Sequence, residues 1–167
     1  ESLEKGEIKF EDIVSVSANA ASMGGAQVFL QPGEKISVED LFKSVAIVSA
    51  NDAIVALGEL VSGSEESFVS DMNSKARELG MSNSNFVNPT GFHDPEHYTT
   101  ARDMALLGAK LIDRFSDPLL KYTSLYESYI REETGNPFPL VRYSERPDLV
   151  AAHLIKRHIA IVVDTSA

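Results

Sequence analysis

Apolar residues recur at helical spacing along much of this chain, and short polar stretches cut the pattern into elements. Residues 1–6 read as the tail of a helix, with Lys5 in its last turn and Gly6 at the stop. Residues 8–16 and 28–30 are short apolar runs separated by a turn at Gly24-Gly25, and Pro32-Gly33 marks another turn. Ser37 with Asp40 resembles a capping box that opens a helix over Val38–Val48. A second apolar helix follows, carried by Ile54, Leu57 and Val61. Ser64 suits the N-cap of a third helix, with Glu65 and Glu66 favourable in its first turn. Phe68, Val69, Met72, Ala76 and Leu79 form its apolar stripe, and Gly80 is its stop. Residues 82–98, rich in Asn, Pro and Gly, predict a long loop. Thr100 and Asp103 then open a fourth helix that turns Met104, Leu107 and Leu111 inward. Residues 149–155 and 158–163 are strand-like runs separated by Lys156-Arg157, the pattern of an antiparallel hairpin. No internal repeat and no linker marks a second domain, so residues 1–167 predict a single domain.

Composition narrows the class rather than the chemistry. A chain of 167 residues with 43% hydrophobic and 24% charged residues can bury one sizeable core. A formal net charge of −10 disfavours nucleic acid as a partner, because phosphate binding needs clustered Lys and Arg. With no cysteine there is no disulfide and no thiolate metal site.

The candidate chemistry begins at Ser49-Ala50-Asn51-Asp52-Ala53, between the apolar helical runs 41–48 and 54–61. Ser49 and Asn51 add nothing to a core, and burying either without partners costs roughly 1–3 kcal/mol. Two readings compete there: an N-cap for the second helix, or a catalytic Ser-x-Asn pair. His93-Asp94-Pro95-Glu96-His97 matches the H-x-x-E-H zinc-peptidase pattern. That site needs both imidazoles on one helical face, and Pro95 opposes a helix, so the segment reads as a solvated loop with two exposed histidines and no metal. Thr100 and Asp103 read as a capping box, with Arg102 paired to nearby carboxylates. Lys43 and Lys75 read as solvated, and the three tyrosines of residues 122–131 as packing.

An ordered series of short matches runs from residue 6 to residue 115. It includes Ala21-Ser22-Met23-Gly24-Gly25, Phe29-Leu30-Gln31-Pro32-Gly33-Glu34, Ser49-Ala50-Asn51-Asp52-Ala53, Asn88-Pro89-Thr90-Gly91 and Thr99-Thr100-Ala101-Arg102-Asp103-Met104-Ala105. In these stretches the chain resembles the serine-type D-alanyl-D-alanine carboxypeptidases, the low-molecular-mass penicillin-binding proteins. The resemblance implies an α+β fold of the β-lactamase/transpeptidase type: an antiparallel sheet packed on helices, with a largely helical half carrying Ser-x-Asn. It implies removal of the terminal D-alanine from peptidoglycan stem peptides through an acyl-serine, with β-lactam antibiotics as inhibitors and no metal or organic cofactor. It also implies work outside the cytoplasmic membrane, with a membrane tether beyond these residues. Under it, Ser49 helps move the proton to the departing D-alanine, and Asn51 positions the substrate and the catalytic lysine.

The family's two other motifs, Ser-x-x-Lys and Lys-Thr-Gly, have no convincing counterpart. Ser2-Leu3-Glu4-Lys5 matches the first by letter, but Gly6 and Glu7 follow at once and leave no helix to support it. By resemblance, Ser2 corresponds to the end of the nucleophile helix. After Val141 the chain runs through residues 142–147 directly into the final strand-like runs, where the family inserts its Lys-Thr-Gly strand. The 167 residues are therefore expected to be an incomplete, inactive catalytic domain, with a break between residues 141 and 149. Two other functions remain open from sequence: a non-catalytic relative that holds peptidoglycan or a partner protein, and a β-lactamase of the same fold.

Overall fold

The computed structural model of the chain describes residues 1–142, and within that span the side chains of residues 116–119 are not described. The hairpin expected at residues 149–163, and the break expected between residues 141 and 149, lie outside the described residues. The described residues divide into two compact units, residues 1–64 with 125–142, and residues 65–124.

The first unit holds short strands and three helices. Strand β1 (Ile13–Ser15) is followed by helix α1 (Ala18–Ala21), strand β2 (Lys35–Ser37), helix α2 (Val38–Val48) and helix α3 (Asn51–Ser62). Strands β3 (Glu127–Ile130) and β4 (Phe138–Val141) return to the same unit. β1 pairs antiparallel with β2, Val14 opposite Ile36, and β3 pairs antiparallel with β4, Ser128 opposite Leu140. The strands are half-buried, so one residue of each faces inward: Val14, Ile36, Ile130 and Leu140 are buried. They join Val28, Leu30, Val38, Leu41, Ile47 and Val55 in one core. The small residues Ala50, Ala53 and Ala56 are also buried there, where α2 and α3 pack together.

Helix α2 begins where its local signals put it. Ser37 Oγ accepts from the Asp40 N–H at 3.1 Å, satisfying one orphan donor of the first turn. The Asp40 carboxylate does not close a reciprocal box. It accepts instead from the Arg131 N–H at 2.9 Å, across the unit. Arg131 has φ 60° and makes a two-point pair with Glu34, Nε to Oε1 at 2.6 Å and Nη2 to Oε2 at 3.2 Å. Its Nη1 donates to the Val28 carbonyl at 3.1 Å, and its guanidinium lies 5.5 Å from the Phe138 ring centre. Burial pushes the Glu34 carboxyl up, but the Arg131 hydrogen bond, the Gln31 N–H and the Arg131 charge outweigh it and hold it below its ordinary value. Lys43 is mostly covered rather than solvated, 3.5 Å from Asp40 and 3.9 Å from Glu39.

The second unit contains helix α4 (Glu65–Glu78), the long loop, and helix α5 (Ala101–Thr123), which is interrupted by a non-helical backbone at Phe115. Its core is Ala76, Met81, Phe86 and Met104, flanked by Met72, Leu79 and Leu107. α4 ends through Gly80 at φ 80°, with the Met81 N–H on the Ala76 carbonyl and the Gly80 N–H on the Arg77 carbonyl. Side chains order the Asn-rich loop. Asn73 exchanges two hydrogen bonds with the Phe86 backbone, at 2.6 and 2.9 Å, and Asn88 Oδ1 accepts from the N–H of Gly91 at 2.7 Å and of Phe92 at 3.1 Å.

Candidate functional site

Ser49 and Asn51 lie at the junction between α2 and α3, in the unit that also carries both strand pairs rather than in the α4–α5 unit. Neither is an N-cap. Ser49 is the C-cap of α2 and adopts the left-handed conformation, φ 58° and ψ 42°. Its N–H bonds the Val45 carbonyl at 3.0 Å, and the Ala50 N–H bonds the Ser44 carbonyl at 3.2 Å. Ala50 occupies the N-cap of α3 and supplies no side-chain cap. The capping alternative is overturned by that one-residue displacement: Ser49 stands before the cap position and Asn51 after it.

Asn51 opens α3 and is buried, with its backbone N–H on the Ala26 carbonyl at 2.7 Å and its Nδ2 on the Gly24 carbonyl at 2.8 Å. Asp52, the next residue, is completely buried. Its carboxylate accepts from the Val28 N–H at 3.1 Å, the Leu30 N–H at 3.0 Å and its neighbour Ala53 N–H at 2.9 Å. Between Val28 and Leu30, Phe29 is forced into positive φ, 58°, and its side chain turns outward. The junction is thus rigid on its inner side. No described residue hydrogen-bonds to Ser49 Oγ or to Asn51 Oδ1, and Ser49 is only half-buried. A hydroxyl that can both donate and accept, beside a fixed carboxamide, can pass a proton and orient a peptide.

The other candidate motifs have structural explanations. Residues 1–6 form hydrogen-bonded turns and not the expected helix tail, closing at Gly6 with φ 72°, with the Glu7 N–H on the Ser2 carbonyl and the Gly6 N–H on the Leu3 carbonyl. Lys5 is exposed, 4.0 Å from Glu7. His93 and His97 sit in the loop and not on a helix. His93 is exposed, but His97 is half-buried, edge-on to the Phe86 ring at 5.6 Å, which corrects the expectation of two exposed imidazoles. Burial draws the His97 pKa below its ordinary value, with Asp94 opposing. Among the described residues there is no group of three or more His, Cys, Asp or Glu placed to hold a metal ion. Thr100 caps α5 on the Asp103 N–H at 3.1 Å. Asp103 is buried and accepts from the Asn83 N–H and Ser84 Oγ, each at 2.8 Å. Burial pushes its carboxyl up, but those bonds, Thr100 and the nearby Arg102 charge outweigh it and hold it low. Of the three tyrosines, Tyr122 is buried while Tyr126 and Tyr129 are largely exposed.

A left-handed serine bearing an uncommitted hydroxyl, one residue before an anchored asparagine, invites comparison with known proteins. Residues 1–141 match the peptidase S11 family, the D-alanyl-D-alanine carboxypeptidases. The chain belongs to that family. It is 50% identical over 141 residues to D-alanyl-D-alanine carboxypeptidase DacF of Bacillus subtilis, covering 84% of this chain and 36% of that protein. The crystal structure of the D-alanyl-D-alanine carboxypeptidase DacD from Francisella tularensis superposes with a TM-score of 0.70 at 38% identity, covering 73% of this chain and 30% of that one. Penicillin-binding protein 5 from Haemophilus influenzae superposes with a TM-score of 0.77 at 32% identity, over 91% of this chain and 42% of that one. The chain thus spans about a third of the length of its relatives, and its α+β fold is that of the penicillin-binding proteins. Among the described residues no helix is long and apolar enough to cross a membrane.

Proposed function

We propose that the protein containing these residues is a serine-type carboxypeptidase that removes the terminal D-alanine of peptidoglycan stem peptides, with Ser49 and Asn51 in its active site. The reading rests on family membership and on one observation above all: Ser49 holds an unfavourable backbone conformation while its hydroxyl serves no described neighbour. Strain of that kind costs of order 1–2 kcal/mol in a non-glycine residue and persists where the surroundings enforce it, often at working sites.

In the proposed reaction a serine nucleophile from the family's Ser-x-x-Lys motif attacks the carbonyl of the penultimate D-alanine. The peptide C–N bond breaks, the acyl group stays on the serine, and the departing amine takes a proton. Ser49 relays that proton across the site, and the Asn51 carboxamide, fixed through Nδ2 to Gly24, presents Oδ1 to the substrate and to the lysine. Water then releases the shortened peptide. β-Lactams acylate the same nucleophile and inhibit. No cofactor enters the scheme. The substrate places the enzyme outside the cytoplasmic membrane. These 167 residues form a single, incomplete catalytic domain that carries Ser49 and Asn51 but no nucleophile motif, and by themselves they form no acyl-enzyme.

Labelling with a fluorescent penicillin tests the reading. The full-length protein should form a covalent adduct, Ser49→Ala should form it far more slowly, and the 167 residues alone should form none. A full-length, folded protein that takes no label sinks the proposal.

A further inference from the structure

The stretch from Gly24 to Leu30 forms neither helix nor strand, yet α3 grips it through both kinds of backbone group. Asn51 supplies the donors, to the carbonyls of Gly24 at 2.8 Å and Ala26 at 2.7 Å. Asp52 supplies the acceptors, to the amides of Val28 at 3.1 Å and Leu30 at 3.0 Å. Asp52 is completely buried, at the first turn of α3, and no cation pairs with it among the described residues. Its oxygens are spent on backbone N–H groups, which are short, directional partners. Such a bond network is stiff, because each member leaves the others unsatisfied in a buried setting if it moves. Arg131 Nη1 donates to the Val28 carbonyl at 3.1 Å, holding the next peptide unit, so that Val28 is fixed through both its N–H and its C=O.

The consequence concerns Asn51. Its side chain has one anchor, the Gly24 carbonyl, and Gly24 lies in the segment that Asp52 holds in register. We propose that Asp52 is a positioning residue: by fixing the amides of Val28 and Leu30 it sets the Gly24 and Ala26 carbonyls, and through them the orientation of the Asn51 carboxamide. This rests on the reading of Asn51 as the residue that orients substrate. Asp52 itself touches no reacting atom. Its Oδ2 accepts from both Val28 and Leu30 while Oδ1 accepts from Ala53; replacement by Asn turns an NH2 group toward one of these N–H sets and removes the charge that strengthens the bonds that remain, so the grip on Val28 and Leu30 loosens. Misplacement of a positioned group by about 1 Å can cost on the order of 100-fold in rate.

The test compares Asp52→Asn with Met104→Ala, a truncation in the separate core of the α4–α5 unit that lowers stability away from the segment, and uses two readouts. In the 167-residue chain, the Asn51 side-chain NH2 protons and the Val28 and Leu30 amides are followed by NMR. Asp52→Asn should shift the Asn51 signals and raise amide exchange at Val28 and Leu30, and Met104→Ala should do neither. In the full-length protein, Asp52→Asn should slow penicillin acylation roughly 10- to 100-fold, far beyond the effect of Met104→Ala, with the loss in the acylation rate constant. Unmoved Asn51 signals in Asp52→Asn overturn the inference, whatever happens to acylation. Moved signals with acylation unchanged from wild type overturn it too. If Asp52→Asn does not fold, Arg131→Lys decides: it keeps a cation for Glu34 but cannot pair with Glu34 and also donate to the Val28 carbonyl as the guanidinium does. The Asn51 signals should then shift in the same direction, and their failure to move overturns the inference. A full-length protein with no acylation at all counts against the proposed function and leaves the NMR comparison to decide on Asp52.

Discussion

Replacing Ser49 by glycine should leave the fold as stable as before or slightly more so, while removing the function proposed for the residue. Ser49 sits at φ 58°, ψ 42°, a conformation that costs a non-glycine residue roughly 1–2 kcal/mol. Glycine adopts it without that cost but loses about 0.4–1 kcal/mol through a freer unfolded chain. The hydroxyl bonds no described residue, so its deletion subtracts little. The net expectation for Ser49→Gly is a gain of between zero and about 1.6 kcal/mol. Ser49→Ala keeps the strain and should stay within about 0.5 kcal/mol of wild type. An N-cap serine replaced by alanine would instead cost about 1 kcal/mol. Urea unfolding of the 167-residue chain reads the difference as a midpoint shift at constant slope. In the full-length protein, penicillin acylation should fall about 10²–10⁴-fold in both variants, the usual size of a lost proton-transfer group. A loss of 1 kcal/mol or more in Ser49→Gly refutes the reasoning, because it would mean the hydroxyl is a structural ligand.

Two further predictions concern pH. The folded state holds the Glu34 carboxyl below its ordinary 4.5, so its contribution is present above about pH 4.5 and is lost as pH falls through the folded value. Glu34→Gln should flatten that acid limb of the stability profile, and an unchanged limb contradicts the Arg131 pairing. His97 is held below its ordinary 6.5 by burial against the partial opposition of Asp94, so stability is present above about pH 6.5 and falls as pH drops below it. An imidazole titration followed by NMR should place the His97 midpoint below 6.5, and a midpoint above it contradicts the half-buried placement.

What the sequence reveals follows from how local the determinants are. Helix α2 was readable to the residue, because Ser37, Asp40 and the apolar spacing after them all lie within the element. The Gly80 stop was readable for the same reason, because a positive φ at a helix end favours glycine, whereas Gly6 closes a turn and not a helix. Strand β2 was missed because its three residues carry a single inward side chain, Ile36, and become a strand only by pairing with β1. The Asn-rich loop was expected as a loop, but not that Asn73 and Asn88 would order it or that His97 would be covered. At the site, the letters Ser-x-Asn were legible and their geometry was not. The left-handed Ser49 depends on how α2 and α3 meet in the core. The signal available for Asp52 was an acid placed among Ala53, Ile54 and Val55, where a solvated charge has no outlet. Arg131 gave no local signal, since Glu34 and Val28 lie 97 and 103 residues away along the chain.

The most direct test is the release of D-alanine from a peptide ending in D-Ala-D-Ala, measured for the full-length protein and its Ser49→Ala variant, both shown to be folded. The account predicts D-alanine from the wild type and a rate lower by about 10²–10⁴-fold in the variant, with the unfolding midpoint nearly unchanged. Equal rates from the two proteins would contradict the role given to Ser49, and no release from the wild type would contradict the proposed reaction itself.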